Sequence, residues 1–285
     1  MRLRGRGYAP DRKVALLLPA LVLLSLGFLW PVAHILWQSV SEPTLGLQNY
    51  RQFFETPAYV TILRRTFTTA VIVTVVCVAL AYPYAYLMTL VSTRWRLVLV
   101  AIVLVPFWTS LMVRTYAWIV LLQNTGIIND GLVALGLARL PLIRNTLGVT
   151  IGMAQILFPF VVLPLYSAMR GIDRRLLQAA QGLGASPSQA FRKVFLPLSM
   201  PGVTAGATLA FVLSLGFYVA PSLLGSPQNA LLSQLVVQQI SRLLDFGMGG
   251  AMGAILLVAT LLLMLVTSRL AGRISGFTGL GGGPR

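Results

Sequence analysis

Charge is scarce along this chain, and acidic charge scarcer still. Only 10% of the 285 residues are charged, with 6 Asp and Glu against 22 Lys and Arg. A soluble domain carries about a quarter charged residues, so a water-soluble globule is excluded. The acids are Asp11, Glu42, Glu55, Asp130, Asp173 and Asp245. They form no closely spaced pair for acid–base chemistry, and none falls clearly inside an apolar run, where an ion-coupled carrier would hold an ionisable group. Cys77 is the only cysteine and His34 the only histidine, each within an apolar run. No intrachain disulfide and no CxxC metal pair can form, and His34, lacking a second ligand, reads as a packing or interfacial residue. Lysine is almost absent: Lys13 follows Arg12, Lys193 follows Arg192, and neither closes a Gly-rich phosphate loop. A nucleotide cradle of the G-x-x-x-x-G-K-[ST] kind is therefore missing, as is a Ser/His/Asp set in a polar domain.

What the chain has in excess is apolar length. Hydrophobic residues make up 57% of it, and its mean hydropathy is +0.83. Six runs, at 14–37, 67–91, 97–122, 147–169, 203–224 and 250–268, each approach the roughly 20 residues that cross ~30 Å of hydrocarbon. Bundled membrane helices tolerate the prolines inside them, Pro83, Pro106, Pro159, Pro164 and Pro221, because neighbours re-satisfy the freed backbone groups. The first run is too long for a cleaved leader and shows no cleavage site, so it reads as a retained span. With the N-terminus inside, fifteen basic residues fall on the cytoplasmic side and six outside, and Arg114 lies within the third span. This bias sets both termini in the cytoplasm and explains the net charge of +16 without nucleic acid. Ser92 to Arg96 makes a tight hairpin turn between spans two and three, while the outer segments 38–66, 123–146 and 225–249 have room for short interfacial helices. The expected organisation is a basic tail over 1–13, one membrane domain over 14–270, and a flexible Gly-rich tail over 271–285.

One polar segment, 170–201, breaks this pattern between two apolar runs. Asp173 is placed to cap a helix from Arg174, and Gly184 to end it in a left-handed conformation. Ser186-Pro187 restarts a second helix as cap and first residue, with Phe191, Val194 and Phe195 on its apolar side. Pro197 is expected to stop it, and Pro201-Gly202 to open the next span. The product is a helix–bend–helix outside the hydrocarbon, a shape that can seat in a cleft on another protein.

Gln178-Ala179-Ala180, three residues, Gly184, nine residues and then Val194-Phe195-Leu196-Pro197 resemble the cytoplasmic EAA loop of ABC-importer permeases. Tyr82-Pro83-Tyr84-Ala85, Val105-Pro106-Phe107-Trp108-Thr109-Ser110, Arg114-Thr115-Tyr116, Leu157-Phe158-Pro159-Phe160, Leu163-Pro164-Leu165-Tyr166-Ser167 and Leu196-Pro197-Leu198-Ser199-Met200-Pro201-Gly202 resemble the permease subunits of spermidine/putrescine importers. The similarity runs from about residue 14 to 270. It implies an all-α bundle of six transmembrane helices in a bacterial inner membrane, importing a small organic solute, first of all a polyamine. It also implies a second, different permease chain, two ABC ATPase subunits that carry the ATP and Mg²⁺, and an extracytoplasmic solute-binding protein. No cofactor is expected in this chain.

By the same resemblance, the ATPase-docking residues are Gln178, Ala179, Ala180, Gly184, Ser186, Pro187, Phe191, Leu196 and Pro197. The family's leading Glu is Gln178 here, which puts an ion pair with the ATPase from this position in doubt. Trp108, Tyr116, Trp118, Phe217 and Tyr218 are candidates for the translocation path, since aromatic faces attract ammonium groups; packing or an interfacial belt is the competing role. Arg114 would repel a polyamine if it faced the path, and would favour an anionic group such as that of an opine or aminoethylphosphonate. From another class, a non-transport scaffold or channel subunit remains as the alternative.

Overall fold

The computed structural model describes residues 18–275. The tail over 1–13 and the Gly-rich stretch from Gly279 lie outside the described residues. Among the described residues every regular element is helical. In chain order they are α1 (Leu18–Ser41), α2 (Gln48–Glu55), α3 (Pro57–Leu90), α4 (Thr93–Trp108), α5 (Leu111–Leu122), α6 (Ile127–Ala134) and α7 (Thr146–Arg170). There follow α8 (Arg174–Gly182), α9 (Pro187–Gly216), α10 (Val219–Leu224), α11 (Leu232–Gln238) and α12 (Phe246–Ser275). Five helices, α1, α3, α7, α9 and α12, are long and apolar enough to cross a membrane, and the bent pair formed by α4 with Leu111–Ala134 makes a sixth. The short helices α2, α6 and α11 fall in the three longer segments expected on the outer side.

Three expected spans need correction. The second begins at Pro57, not near 67. Pro57 takes the first helical position, where its missing N–H costs nothing, and Thr61 and Thr68 return their hydroxyls to Pro57 O and Arg64 O at 2.8 and 2.9 Å. At 34 residues the helix is about 50 Å long and outruns the hydrocarbon, which the apolar pattern alone cannot register. The third span is not straight: α4 and the following helix are bent by 102°. Pro106 lies in a 3₁₀ turn, Val105–Trp108, after which Thr109 is extended and Ser110 is non-helical. The Thr109 N–H and hydroxyl both donate to Pro106 O, at 3.2 and 2.7 Å, so the break satisfies its own carbonyl.

In the fifth span Pro197 stops nothing. The helix runs from Pro187 through Pro197 and Pro201 to Gly216. A π turn over Phe191–Phe195 makes this possible: the Leu196 N–H bonds Phe191 O, so the turn widens just ahead of Pro197, where an α-helical register would need the amide that proline lacks. The helix ends at Gly216, and α10 is a separate short piece.

The structure divides into two compact units. The smaller holds the described residues up to Glu55 together with Val236–Ile255. Its joint is polar: the buried Asn49 donates to Ser39 O and Glu42 O at 3.0 and 2.7 Å, and Ser39 Oγ meets the Tyr50 hydroxyl at 2.7 Å. Gly250 lets α12 close on Ile35 O of α1. The larger unit, Thr56–Leu235 and the described residues from Leu256, is built on α3, α7 and α9 packed together. Small side chains allow this. Val73, Cys77, Ala81 and Ala85 recur every fourth residue on α3 with zero exposure. On α9, a Cβ at Gly202 would fall 2.6 Å from Ala168 Cβ, and one at Gly206 3.0 Å from Val161 O. Close backbone approach at small residues four apart is how membrane helices gain packing without a hydrophobic drive between them.

Candidate functional site

The segment between α7 and α9 forms the expected helix–bend–helix. The Asp173 carboxylate accepts from the Arg175 N–H at 2.9 Å and starts α8. Gly184 sits at φ +92°. Its N–H bonds Gln181 O and the Ala185 N–H bonds Ala180 O, at 2.9 and 3.0 Å, the paired closure of a helix end that only a left-handed residue completes. Two residues on, Ser186 and Gln189 form a reciprocal capping box, with Pro187 at the first helical position. Both sides of the bend are thus fixed by local bonds.

Aromatic packing holds the second arm to the bundle. Phe191 stacks on Phe195 at 5.4 Å and meets Tyr82 and Tyr86 of α3 edge-on at 6.3 and 5.4 Å, and Phe195 meets Tyr86 at 5.1 Å. The Tyr82 hydroxyl lies 3.0 Å from Ser199 Oγ. The second arm is thereby packed against α3 and continuous with α9. Gln178, Ala179, Gly184, Ser186, Pro187 and Pro197 are exposed, and Ala180, Phe191 and Leu196 are half-buried. Sequence reasoning missed Leu183. It is 90% exposed at the tip of the bend, and an apolar residue immediately before a helix-ending glycine was its signal.

A cavity of about 560 Å³ opens within the larger unit. It is lined by apolar and aromatic side chains from α3, α4, α5 and α7, including Tyr84, Trp118 and Phe158. Its polar contact is Gln155 of α7, whose Oε1 accepts from Trp118 Nε1 across a long 3.5 Å. Gln155 is the one amide in the apolar run 147–169, a signal that sequence reasoning passed over. Of the five aromatic candidates only Trp118 lines this cavity. Trp108 and Tyr116 are 82% and 59% exposed, Tyr218 is 43% exposed, and Phe217 packs half-buried against the main core. The five do not converge on one site.

Arg114 sits on α5 with its guanidinium 5.8 Å from the centroid of the Phe107 ring. Its Nε is buried and has no hydrogen-bond partner among the described residues. The two ion pairs among the described residues lie elsewhere, Arg51 with Glu55 and Arg139 with Asp130. No group of His, Cys and carboxylates there could hold a metal; His34 is exposed and stacked on Trp30.

Fold and loop define a multi-pass helical membrane protein with a helix–bend–helix set between two of its spans. The fold is shared with a chain in a crystal structure of a bacterial alginate ABC transporter in complex with an alginate pentasaccharide-bound periplasmic protein. The TM-score is 0.76 at 19% identity, covering 92% of this chain and 94% of that one. Among curated proteins, a spermidine/putrescine transport system permease protein PotB of Haemophilus influenzae is 36% identical over 222 residues, 76% of this chain and 77% of that protein. Its namesake in Escherichia coli K12 is 33% identical over 222 residues, 77% and 80% of the two chains. The chain belongs to the family of binding-protein-dependent transport system inner membrane components, which matches residues 14–276. It is a permease subunit of an ABC importer.

Proposed function

We propose that this chain forms one half of the membrane pathway of an ATP-driven importer of a small polyamine, with a second permease chain as the other half. One of two ABC ATPase subunits seats on the loop over 170–201, and the ATPase pair hydrolyses the ATP, since this chain has no Gly-rich lysine loop of its own. An extracytoplasmic solute-binding protein delivers the cargo, as a periplasmic protein accompanies the alginate transporter of the same fold. The Lys/Arg bias supports cytoplasmic placement of both termini and of the docking loop.

The observation that carries the solute class is the 36% identity to a spermidine/putrescine permease over most of both chains. The cavity chemistry is compatible: aromatic faces hold ammonium groups by up to about 2 kcal/mol when desolvated, and Trp118, Tyr84 and Phe158 line it. Arg114 supports a second reading, an opine or aminoethylphosphonate, because its buried Nε lacks an acceptor that an anionic group would supply.

Two measurements test the proposal. The full chain, purified from its native host, is expected to bring along an ATPase whose turnover rises with the loaded solute-binding protein. That binding protein is expected to take spermidine or putrescine in preference to the anionic solutes. Purification without any ATPase would favour a scaffold, and preference for the anionic solutes would favour the second reading.

A further inference from the structure

A second cavity, of about 250 Å³, lies under the docking helix, where the ends of α3 and α7 meet the start of α4. Arg96, Arg170 and Arg174 line it, and no carboxylate among the described residues does. Two of these guanidinium groups are held in place by backbone: Arg96 Nε and Nη2 donate to Met88 O and Val91 O at 3.2 and 3.4 Å, and Arg174 Nη2 donates to Thr89 O. Each guanidinium carries five N–H donors, so most remain unused, and the Arg170 side chain bonds to nothing among the described residues. Tyr166 also lines the cavity; its hydroxyl is buried beside it and has no hydrogen-bond partner among the described residues. A buried donor left unmatched is costly, and three cations around one small space repel each other. Each of these features calls for the same thing, a ligand that brings negative charge and several acceptor oxygens.

We infer that this cavity binds a phosphate-bearing anion, either the headgroup of an anionic phospholipid or a soluble phosphate compound. Phosphate matches the guanidinium fork in two-point contacts. Leu90 and Leu177 complete one side of the lining, which suits the start of an acyl chain at the level where helix ends meet headgroups. The ligand would touch α8 through Arg174 and Gln178, α4 through Arg96, and α7 through Tyr166 and Arg170. It would therefore tie the docking helix to the bundle by a link that the polypeptide itself leaves open.

The test uses the full chain in nanodiscs of phosphatidylcholine alone or with phosphatidylglycerol, reading retained lipid by native mass spectrometry and the melting temperature. In a separate arm, inorganic phosphate is titrated into lipid-free detergent. A lipid site retains one phosphatidylglycerol per chain and raises the melting temperature. Arg170→Gln weakens that retention by roughly tenfold, the order of one lost charge-assisted bond, and Tyr166→Phe weakens it by a smaller factor. A soluble site instead gives saturable stabilisation by phosphate that the same substitutions reduce. Arg94→Gln, a cation exposed like Arg170 at the same end but outside the cavity, should match the parent in both arms. No response in either arm overturns the inference, as does an Arg94→Gln effect equal to that of Arg170→Gln.

Discussion

At the scale of single residues, Arg114 poses the sharpest electrostatic problem among the described residues. A charge in mid-span costs about 2.5–3.5 kcal/mol on insertion scales, and the ring of Phe107 at 5.8 Å returns about 0.5–2 kcal/mol of that. The buried Nε has no acceptor from the described residues. If the cargo is a polyamine, the missing acceptor belongs to the second permease chain. Arg114→Gln should then lower co-purification of that chain and leave apparent solute affinity in the assembled complex unchanged. Normal assembly with transport selectively lost would move Arg114 into the pathway and favour an anionic cargo. The sequence marked Arg114 because it is the one basic residue inside a span. It did not mark Gln155, and it could not show that Trp118 alone of five aromatics lines the cavity, because which face of a helix meets an internal space depends on the neighbouring helices.

At the scale of elements, what was legible was what is local. Asp173, Gly184 and the Ser186-Pro187 start act within four residues of themselves, so their chemistry could be read without the fold; the reciprocal bond from Gln189 was not read. The effects of Pro106 and Pro197 could not. Both residues lack an N–H, yet one bends its span by 102° and the other passes through a continuous helix, because a preceding π turn adjusts the register. Two substitutions separate geometry from contact in the docking loop. Gly184 has open space around its Cα, so Gly184→Val meets no clash; it is opposed only by φ +92°, at about 1–3 kcal/mol. It should abolish ATPase binding and uptake while the protein still reaches the membrane. Gln178→Ala removes at most one neutral hydrogen bond, about 0.5–1.5 kcal/mol net, and should reduce complex yield only modestly. Normal transport in Gly184→Val, or complete loss of complex in Gln178→Ala, would reverse the roles assigned to bend and side chain. Packing between elements gives a further expectation. Gly206→Leu drives a side chain into Val161 of α7 and should lower membrane yield and melting temperature together. Gly216→Leu, with nothing within 4 Å, should be mild by comparison.

At the scale of the whole molecule, the number of spans and their orientation rest on different physics. Helix length and hydropathy give five spans, or six with the bent pair counted, and this much follows from the hydrocarbon thickness. Orientation follows from the distribution of Lys and Arg, fifteen against six, which is a property of insertion and not of the folded contacts. The two together predict that the bend at Gly184 lies on the side where ATP is available, and that placement can be measured directly. Cys77 is the only cysteine and has no exposed surface, packed where its thiol meets Ala154 O at 3.5 Å. Replacing it with Ala removes the background at the cost of one small buried atom. Ser188 is exposed just beyond the bend, and its hydroxyl contributes only a contact with Ser186 Oγ at 3.1 Å, so Ser188→Cys should leave the capping box intact. In the Cys77→Ala background, a membrane-impermeant maleimide should label Ser188→Cys in inverted vesicles and not in intact cells. Thr44→Cys, on the exposed loop between α1 and α2, should show the opposite pattern. Labelling of Ser188→Cys from outside intact cells would invert the orientation, and with it the assignment of the 170–201 loop to an ATPase.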